Sequence, residues 1–272
     1  MKFLKSITVA PIFIGFLFVI SSFSPLKLKN NKMKKTYVLV HGAFAGKYAW
    51  DQVKPLLEKD GNKVITLDLP GHGDDHAEPK SVNFDSYVNA VVSLINAEQT
   101  KVILVGHSMA GVVISAVAEK IPTKIEKLVY LSAYIPKSGQ SLQELAGMDA
   151  ESKIGPNLKF TPDYSGAYLE DNVTVSVFAG DCSDDIKKLV VEKGKGRLEP
   201  LAAFQAKPIL TENFNGVEKY YIETLKDIGV GTSLQKQMVA NNGTVKKVFS
   251  LDCGHSAYFA KPAELVGILE SI

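Results

Sequence analysis

The sequence has 272 residues, 46% of them hydrophobic and 22% charged, with a formal net charge of +2. That length accommodates one sizeable α/β domain with a large apolar core, and the balanced charge, with no basic stripe interleaved with aromatics, argues against a nucleic-acid partner. Two cysteines, Cys182 and Cys253, are too few for a disulfide scaffold and fit no zinc spacing; both read as small, buried, apolar side chains.

The first element is MKFLKSITVAPIFIGFLFVISSFS. Lys2 and Lys5 precede an apolar stretch over 7–20, and small polar residues follow. This is the layout of a secretory signal, expected over residues 1–24. The apolar stretch is short for a spanning helix. No small-x-small cleavage site stands out and Pro25 opposes cleavage just before it, so an uncleaved membrane anchor is the alternative. Export to the periplasm or medium is the expectation; a translation start at Met33 would instead make the protein cytoplasmic. Residues 25–35 carry lysines at 27, 29, 32, 34 and 35 and read as a solvated basic linker.

From residue 36 the pattern alternates. A short apolar run over 37–40 ends at His41-Gly42. Trp50, Val53, Leu56 and Leu57 follow at helical spacing, and 63–67 is the next strand, closed by the turn at 70–73. Phe84, Val88, Val91, Val92 and Ile95 mark one helix face. Residues 102–105 are apolar on both faces, as a strand inside a parallel sheet requires. The stretch 109–120 is apolar nearly all round, which predicts a deeply buried helix, and 128–131 is another strand. The rhythm breaks from 133 to about 212, where Gly and Pro are frequent; this segment reads as an insertion over the end of the sheet. It returns with a strand at 219–224, a helix at 233–240, a strand at 245–251 and a helix at 263–272. Strand and helix in this order predict a mostly parallel, doubly wound α/β sheet over residues 36–272 with an inserted cap at about 133–212.

In such a sheet chemistry gathers at the carboxyl ends of the strands. Ser108 lies just past one, in VILVGHSMAGVV at 102–113. A sharp strand-to-helix turn there expels the Ser side chain from the core and brings backbones together, so positions two before and two after must be small. Gly106 and Ala110 meet that need, which makes this a nucleophile elbow, G-x-S-x-G with Ala in the last place. The plainer reading is an ordinary Ser N-cap. Two features oppose it. His41-Gly42-Ala43-Phe44 follows the first strand and lies beside the elbow in this architecture, so the N–H groups of Ala43 and Met109 are candidates to hold an oxyanion. Asp252-Cys253-Gly254-His255 follows the last strand, and a His there can serve as the base a Ser hydroxyl needs. The turn GHGDDH at 71–76 holds two His and two Asp, but no regular spacing fixes them as metal ligands, and it reads as a solvated loop. The acid must follow a strand and fall between Ser108 and His255 in chain order. Asp227 meets these conditions, whereas Glu223 sits inside a strand, Asp252 is too near His255, and Asp181 lies in the insertion.

With these residues placed, the sequence resembles the α/β-hydrolase fold and, within it, the plant methylesterases and hydroxynitrile lyases with their bacterial esterase relatives. The likeness rests on YVLVHGAFAGKYAW, VITLDLPGHGDD, VILVGHSMAGVV, VYLSAYIP and CGHSAYFAKPAEL, with FAGDCSDD and EPLAAF resembling bacterial members. It implies Ser108 as nucleophile, His255 as base and Asp227 as acid, the last in TLKDIGVGTSLQKQM, 28 positions before the histidine. This segment departs from the group's usual pattern around the acid. Lyases of the group carry a Thr beside the oxyanion loop and a Lys beside the histidine; Gly42 and Ser256 stand there here. The expectation is therefore a serine carboxylesterase acting on a small-molecule ester, with no metal or organic cofactor and with membrane contact only through an N-terminal anchor. A carbon–carbon lyase and a ligand-binding protein on a hydrolase scaffold are the alternatives. Tyr134, Phe178, Phe204, Tyr258 and Phe259 are candidates to line the substrate pocket, although aromatics are mostly packed and the core is the commoner place for each.

Overall fold

The computed structural model describes Phe3 and residues 34–272. Apart from Phe3, the expected signal over 1–24 lies outside the described residues, as does the basic linker before Lys34.

In chain order the strands are β1 (Thr36–Val40), β2 (Lys63–Thr66), β3 (Val102–His107), β4 (Ile125–Leu131), β5 (Lys159–Phe160), β6 (Gly166–Tyr168), β7 (Glu199–Pro200), β8 (Glu218–Thr224) and β9 (Val245–Leu251). Six form one sheet in the order β2-β1-β3-β4-β8-β9, with every neighbouring pair parallel. The helices are α1 (Lys54–Lys59), α2 (Phe84–Asn96), α3 (Ala110–Lys120), α4 (Leu142–Gly147), α5 (Asp171–Ala179), α6 (Asp184–Gly194), α7 (Glu212–Asn215), α8 (Thr232–Asn242), α9 (Ala257–Ala260) and α10 (Pro262–Ser271). The short strands β5, β6 and β7 pair antiparallel in a small second sheet.

The central strands carry buried apolar residues on both faces because both faces are covered, and their side chains part by the period of two. Val38, Val40, Leu104, Leu128, Tyr130 and Tyr221 pack with α2, α3 and α8 on one face. Tyr37, Leu39, Ile103, Val105, Val129 and Ile222 pack with α1, α9 and α10 on the other. Each such side chain contributes about 1.5–3 kcal/mol by leaving water. The edge strand β9 is largely exposed and presents Lys246 and Lys247, charges that discourage pairing with another sheet edge. Helix α2 starts on a reciprocal cap between Asn83 and Ser86. Helix α3, with eight buried residues, stops at Ile121 before Pro122, where a proline disfavours helical backbone in the residue ahead of it.

One departure from the sequence pattern lies at 47–59. The apolar residues there serve a 3-10 turn (Lys47–Trp50) and the separate helix α1, so Leu56 is left exposed. Both cysteines are free thiols, Cys253 buried and Cys182 half-buried.

The chain order reverses between β1 and β3. Strand β1 is followed by its neighbour β2 on one side, and the chain then crosses to β3 on the other. Val40 pairs with Gly106 at the carboxyl ends of these two strands, so the loops that follow them open side by side at the switch point of the sheet.

Candidate active site

Ser108 follows the last residue of β3 with φ +54°. A non-glycine residue in that region stores about 1–3 kcal/mol and persists only where its surroundings hold it. Its own backbone is held at both ends: the N–H donates to the Leu131 carbonyl at 3.2 Å, and the carbonyl accepts from Gly111 and Tyr134 at 3.0 and 3.1 Å. Small neighbours make the turn sterically feasible. A Cβ on Gly106 would lie 2.9 Å from both the Ala110 carbonyl oxygen and the Ile114 side chain.

The residue before the serine ties this turn to the far end of the sheet. His107 lies within 3.0 Å of the His255 carbonyl through Nε2, and the two rings are 4.5 Å apart centre to centre. Burial, and then the neighbouring His255 ring, hold His107 well below the ordinary imidazole range. It is therefore neutral, with the proton on Nε2 for the carbonyl. Gly254 is fixed from the segment between β4 and β8, where Asp181 Oδ2 accepts its N–H at 2.6 Å. The sequence pattern gave Asp181 no such role.

His255 Nδ1 lies 2.9 Å from Asp227 Oδ2, with both side chains fully buried. A carboxylate oxygen only accepts, so Nδ1 carries the proton and Nε2 presents a lone pair. Nε2 is buried and has no hydrogen-bond partner among the described residues, Ser108 included.

Asp227 sits in a dense cradle. Its Oδ1 accepts the N–H groups of Gly229 and Val230 at 2.7 and 2.9 Å. Its Oδ2 also meets Thr224 Oγ1 at 2.7 Å, Gln235 Nε2 at 3.1 Å and the Ser132 hydroxyl. Burial alone would raise its pKa, but the electrostatic interaction with His255 and the hydrogen bonds from His255, Ser132 and Thr224 prevail and hold it below the usual carboxylate range. Of these partners, Thr224 and Gln235 flank the acid in sequence. Ser132 does not; the only signal for it is its place directly after β4, the strand between β3 and β8.

Ala43 and Met109 stand at the mouths of β1 and β3, and no hydrogen bond within the described residues engages either N–H group. The loop carrying Ala43 is pinned by His41, which accepts the Leu69 N–H through Nε2 at 3.0 Å and so donates through Nδ1 to the Gly42 carbonyl at 2.8 Å. Burial, followed by the neighbouring His72, lowers His41 to about 3, which keeps it neutral. The structure thus brings Ser108, Ala43 and Met109 to one point and joins His255 to Asp227 beside it.

The sequence pattern of the Alpha/beta hydrolase family matches residues 37–268. The chain belongs to the alpha/beta hydrolase family.

Within the family, a protein of Arabidopsis thaliana named as a chloroplastic methylesterase is 30% identical over 87% of this chain, and the chain spans 63% of that protein's length. Salicylic acid-binding protein 2 of Nicotiana tabacum is 29% identical over 89% of this chain and 98% of its own length. The alpha-hydroxynitrile lyase of Arabidopsis thaliana is 26% identical over 88% and 97%. Among solved structures, polyneuridine aldehyde esterase superposes with a TM-score of 0.78 at 26% identity, covering 88% of this chain and 98% of the other.

As a hydrolase-family site, the place has a defined cavity. It measures about 510 Å³ and reaches Ser108, Met109 and Ala43. Apart from those three and Phe44, every lining residue lies between positions 134 and 205. Tyr134 and Phe204 are among them. Phe178, Tyr258 and Phe259 are not: Phe178 packs on Phe44 and His255, and Tyr258 packs on Trp50, His107 and Phe259. Among the described residues, Asp149 and Glu199 are the charged groups in the wall, and neither Lys nor Arg lines it.

The turn 71–76 exposes Asp74 and His76, as a solvated loop does, and the correction to that reading is His72, which is only 4% exposed and has its ring paired with buried Glu199. The motif hid this because Glu199 lies 127 positions away. Among the described residues no group of three or more His, Cys, Asp and Glu side chains is placed to hold a metal ion.

Proposed function

We propose that the protein is a serine carboxylesterase that cleaves a small or medium-sized carboxylic ester through an acyl-enzyme. One arrangement carries the reading. A serine in left-handed backbone faces a cavity between two N–H groups that make no hydrogen bond among the described residues, beside a histidine whose outer nitrogen has no partner there and can act as a base.

In this reading Ser108 Oγ attacks the ester carbonyl while its proton passes to His255 Nε2. Asp227 holds the imidazole in the right tautomer and stabilises the imidazolium that forms. The N–H groups of Ala43 and Met109 receive the charge on the tetrahedral oxygen, where one such donor is worth about 3 kcal/mol of barrier. Collapse expels the alcohol, which takes the proton from His255. Water then attacks the acyl group with His255 again as base, and the carboxylic acid leaves. No step draws on a metal or organic cofactor. The segment over about 133–212 acts as a cap that shapes the ester site. The relatives named as esterases and methylesterases support the same class of reaction.

The test is turnover of p-nitrophenyl acetate by the purified protein and by Ser108→Ala. Loss in the variant supports the reading; equal rates end it. A cyanohydrin lyase is the weaker reading, because Gly42 and Ser256 occupy the places where the lyases of the group carry Thr and Lys. It predicts cyanide release from mandelonitrile above the uncatalysed rate. A ligand-binding role without turnover predicts no hydrolysis of any ester and weak labelling of Ser108 by a fluorophosphonate. On the N-terminal pattern alone, the proposal places the enzyme outside the cytoplasm; cell fractionation with mass measurement of the mature chain tests that and separates cleavage from anchoring.

A further inference from the structure

The buried pair of His72 and Glu199 lies outside the machinery so far described, yet it touches that machinery directly. Glu199 Oε2 accepts the N–H of Phe44 at 2.6 Å. Phe44 follows Ala43 and has φ +58°, so a non-glycine residue in left-handed backbone is held by a carboxylate from β7. The same carboxylate lies 3.0 and 2.9 Å from His72 Nε2. His72 Nδ1 lies 3.1 Å from the Pro70 carbonyl. Both ring nitrogens therefore face acceptors, which is the arrangement of an imidazolium. Burial would lower His72, but the charge of Glu199 and the hydrogen bonds it accepts outweigh this and raise the group. The two side chains are 3% and 1% exposed. Glu199 and Phe44 both line the cavity that holds Ser108.

We propose that Glu199 is a positioning residue, which sets the oxyanion loop by fixing the Phe44 backbone, and that His72 neutralises its charge beside the reaction centre. Two requirements meet in this pair. The Phe44 N–H belongs to the peptide that follows Ala43, so the strong acceptor on it fixes the backbone on the carboxyl side of Ala43 and thereby helps set where the Ala43 N–H, on the preceding peptide, points. A bare carboxylate there would oppose the negative charge that develops on the tetrahedral oxygen. A buried cation on its other flank removes that penalty. The strand that carries Glu199 comes from the segment roofing the cavity, so the loop is correctly set only when that segment is seated.

This inference rests on the esterase reading. The experiment measures kcat and KM on p-nitrophenyl esters for wild type, Ser108→Ala, Glu199→Leu, Glu199→Gln, His72→Leu and the double variant His72→Leu/Glu199→Gln, each checked for a native circular dichroism spectrum. Glu199→Leu strands the Phe44 N–H. It is expected to lower kcat by roughly 30-fold or more, part of the roughly 10²–10³-fold that loss of an oxyanion donor costs, with KM changed less than about threefold. Glu199→Gln keeps an acceptor for Phe44 and is expected to recover most of that loss. His72→Leu leaves the carboxylate uncompensated and is expected to be slower than the double variant, in which no charge remains. A role in folding alone would not give this split of kcat from KM, nor a second substitution that restores rate. A Glu199→Leu kcat within threefold of wild type, or a double variant no faster than His72→Leu, overturns the inference. Should Glu199→Leu fail to fold, the comparison of His72→Leu with the double variant decides. If Ser108→Ala is inactive while the Glu199 and His72 variants behave as wild type, only this inference falls; if Ser108→Ala is fully active, the esterase reading falls with it.

Discussion

A Cβ on Gly42 would lie 2.8 Å from the Cβ of Ser108 and 2.9 Å from His107 Nδ1. Real Cβ contacts do not come so close, and neither neighbour can yield cheaply. Ser108 is fixed by three backbone hydrogen bonds and His107 is bonded to the His255 carbonyl. Gly42→Ala is therefore expected to push the serine out of line. Overpacking of this kind costs about 1–3 kcal/mol of stability, and a shift of about 1 Å at a reacting group costs on the order of 10²-fold in rate. Thermal melts and ester kinetics check both. A variant with wild-type kcat would show that the serine tolerates displacement and would count against the proposed geometry.

Asp227→Asn tests the carboxylate directly. The substitution preserves shape and leaves an amide oxygen for the Gly229 and Val230 N–H groups, so the fold is expected to survive. The group facing His255 Nδ1 is then no longer a reliable acceptor. The imidazole loses its fixed tautomer and its support when protonated, and kcat is expected to fall by roughly 10²–10⁴-fold, the range of a general-base contribution. Steady-state kinetics with a matched melting curve separate this from unfolding.

Much of this was legible in the chain itself, for a physical reason. The strand ends, the small residues around Ser108 and the order of Ser, Asp and His are local features, and a parallel sheet with a switch point turns them into neighbours. Asp227 was reached by elimination along the chain, and the structure joins it to His255 although the segment around it departs from the group's pattern. What escaped were partnerships across long separations. The turn at 71–76 looks solvated because its composition is polar, and only folding brings Glu199 to His72. Ser132 and Asp181 read as ordinary polar residues, since their contacts to Asp227 and Gly254 bridge 95 and 73 positions. Tyr258 and Phe259 are candidates for the pocket wall on sequence, although an aromatic side chain is more often packed in a core. Helix α9 turns them into the core, away from the cavity.

The buried histidines fix how stability changes with acid. His41 is held neutral down to about 3 and His107 is likewise held well below the ordinary imidazole range by burial, while unfolded histidines titrate near about 6.5. As pH falls below that value the unfolded chain takes up protons that the folded chain refuses, so stability falls with pH across the window from about 6.5 to about 3. His72 has the opposite sign. Its folded value is raised, so its contribution is complete below about 6.5 and is lost as pH rises through the raised value. The expected curve of Tm against pH therefore declines on the acid side, and His41→Asn flattens that decline, provided the variant folds. An unchanged acid slope in His41→Asn would show that this ring is not held neutral.

Charge in the cavity wall predicts a preference among esters. Asp149 and Glu199 line it without a Lys or Arg, and the Asp149 carboxylate is already engaged by the N–H groups of Glu151, Ser152 and Gly231. Glu199 is balanced by His72, which leaves no surplus positive charge among the described residues of the wall to receive an anion. An ester bearing a second, ionised carboxylate would have to shed its hydration without a partner, a penalty of several kcal/mol for a fully buried charge and less for one that stays partly wet. A neutral ester of the same size meets mainly apolar side chains such as Leu142, Ile154 and Phe204. The expected outcome is a kcat/KM at least about tenfold higher for the neutral member of a matched aryl-ester pair, equivalent to about 1.4 kcal/mol. The gap should narrow at pH values that protonate the substrate's carboxylate while His255 still acts as base. Equal kcat/KM for the two esters at neutral pH would mean that a cation reaches the bound substrate, and the wall would then have to be assigned differently.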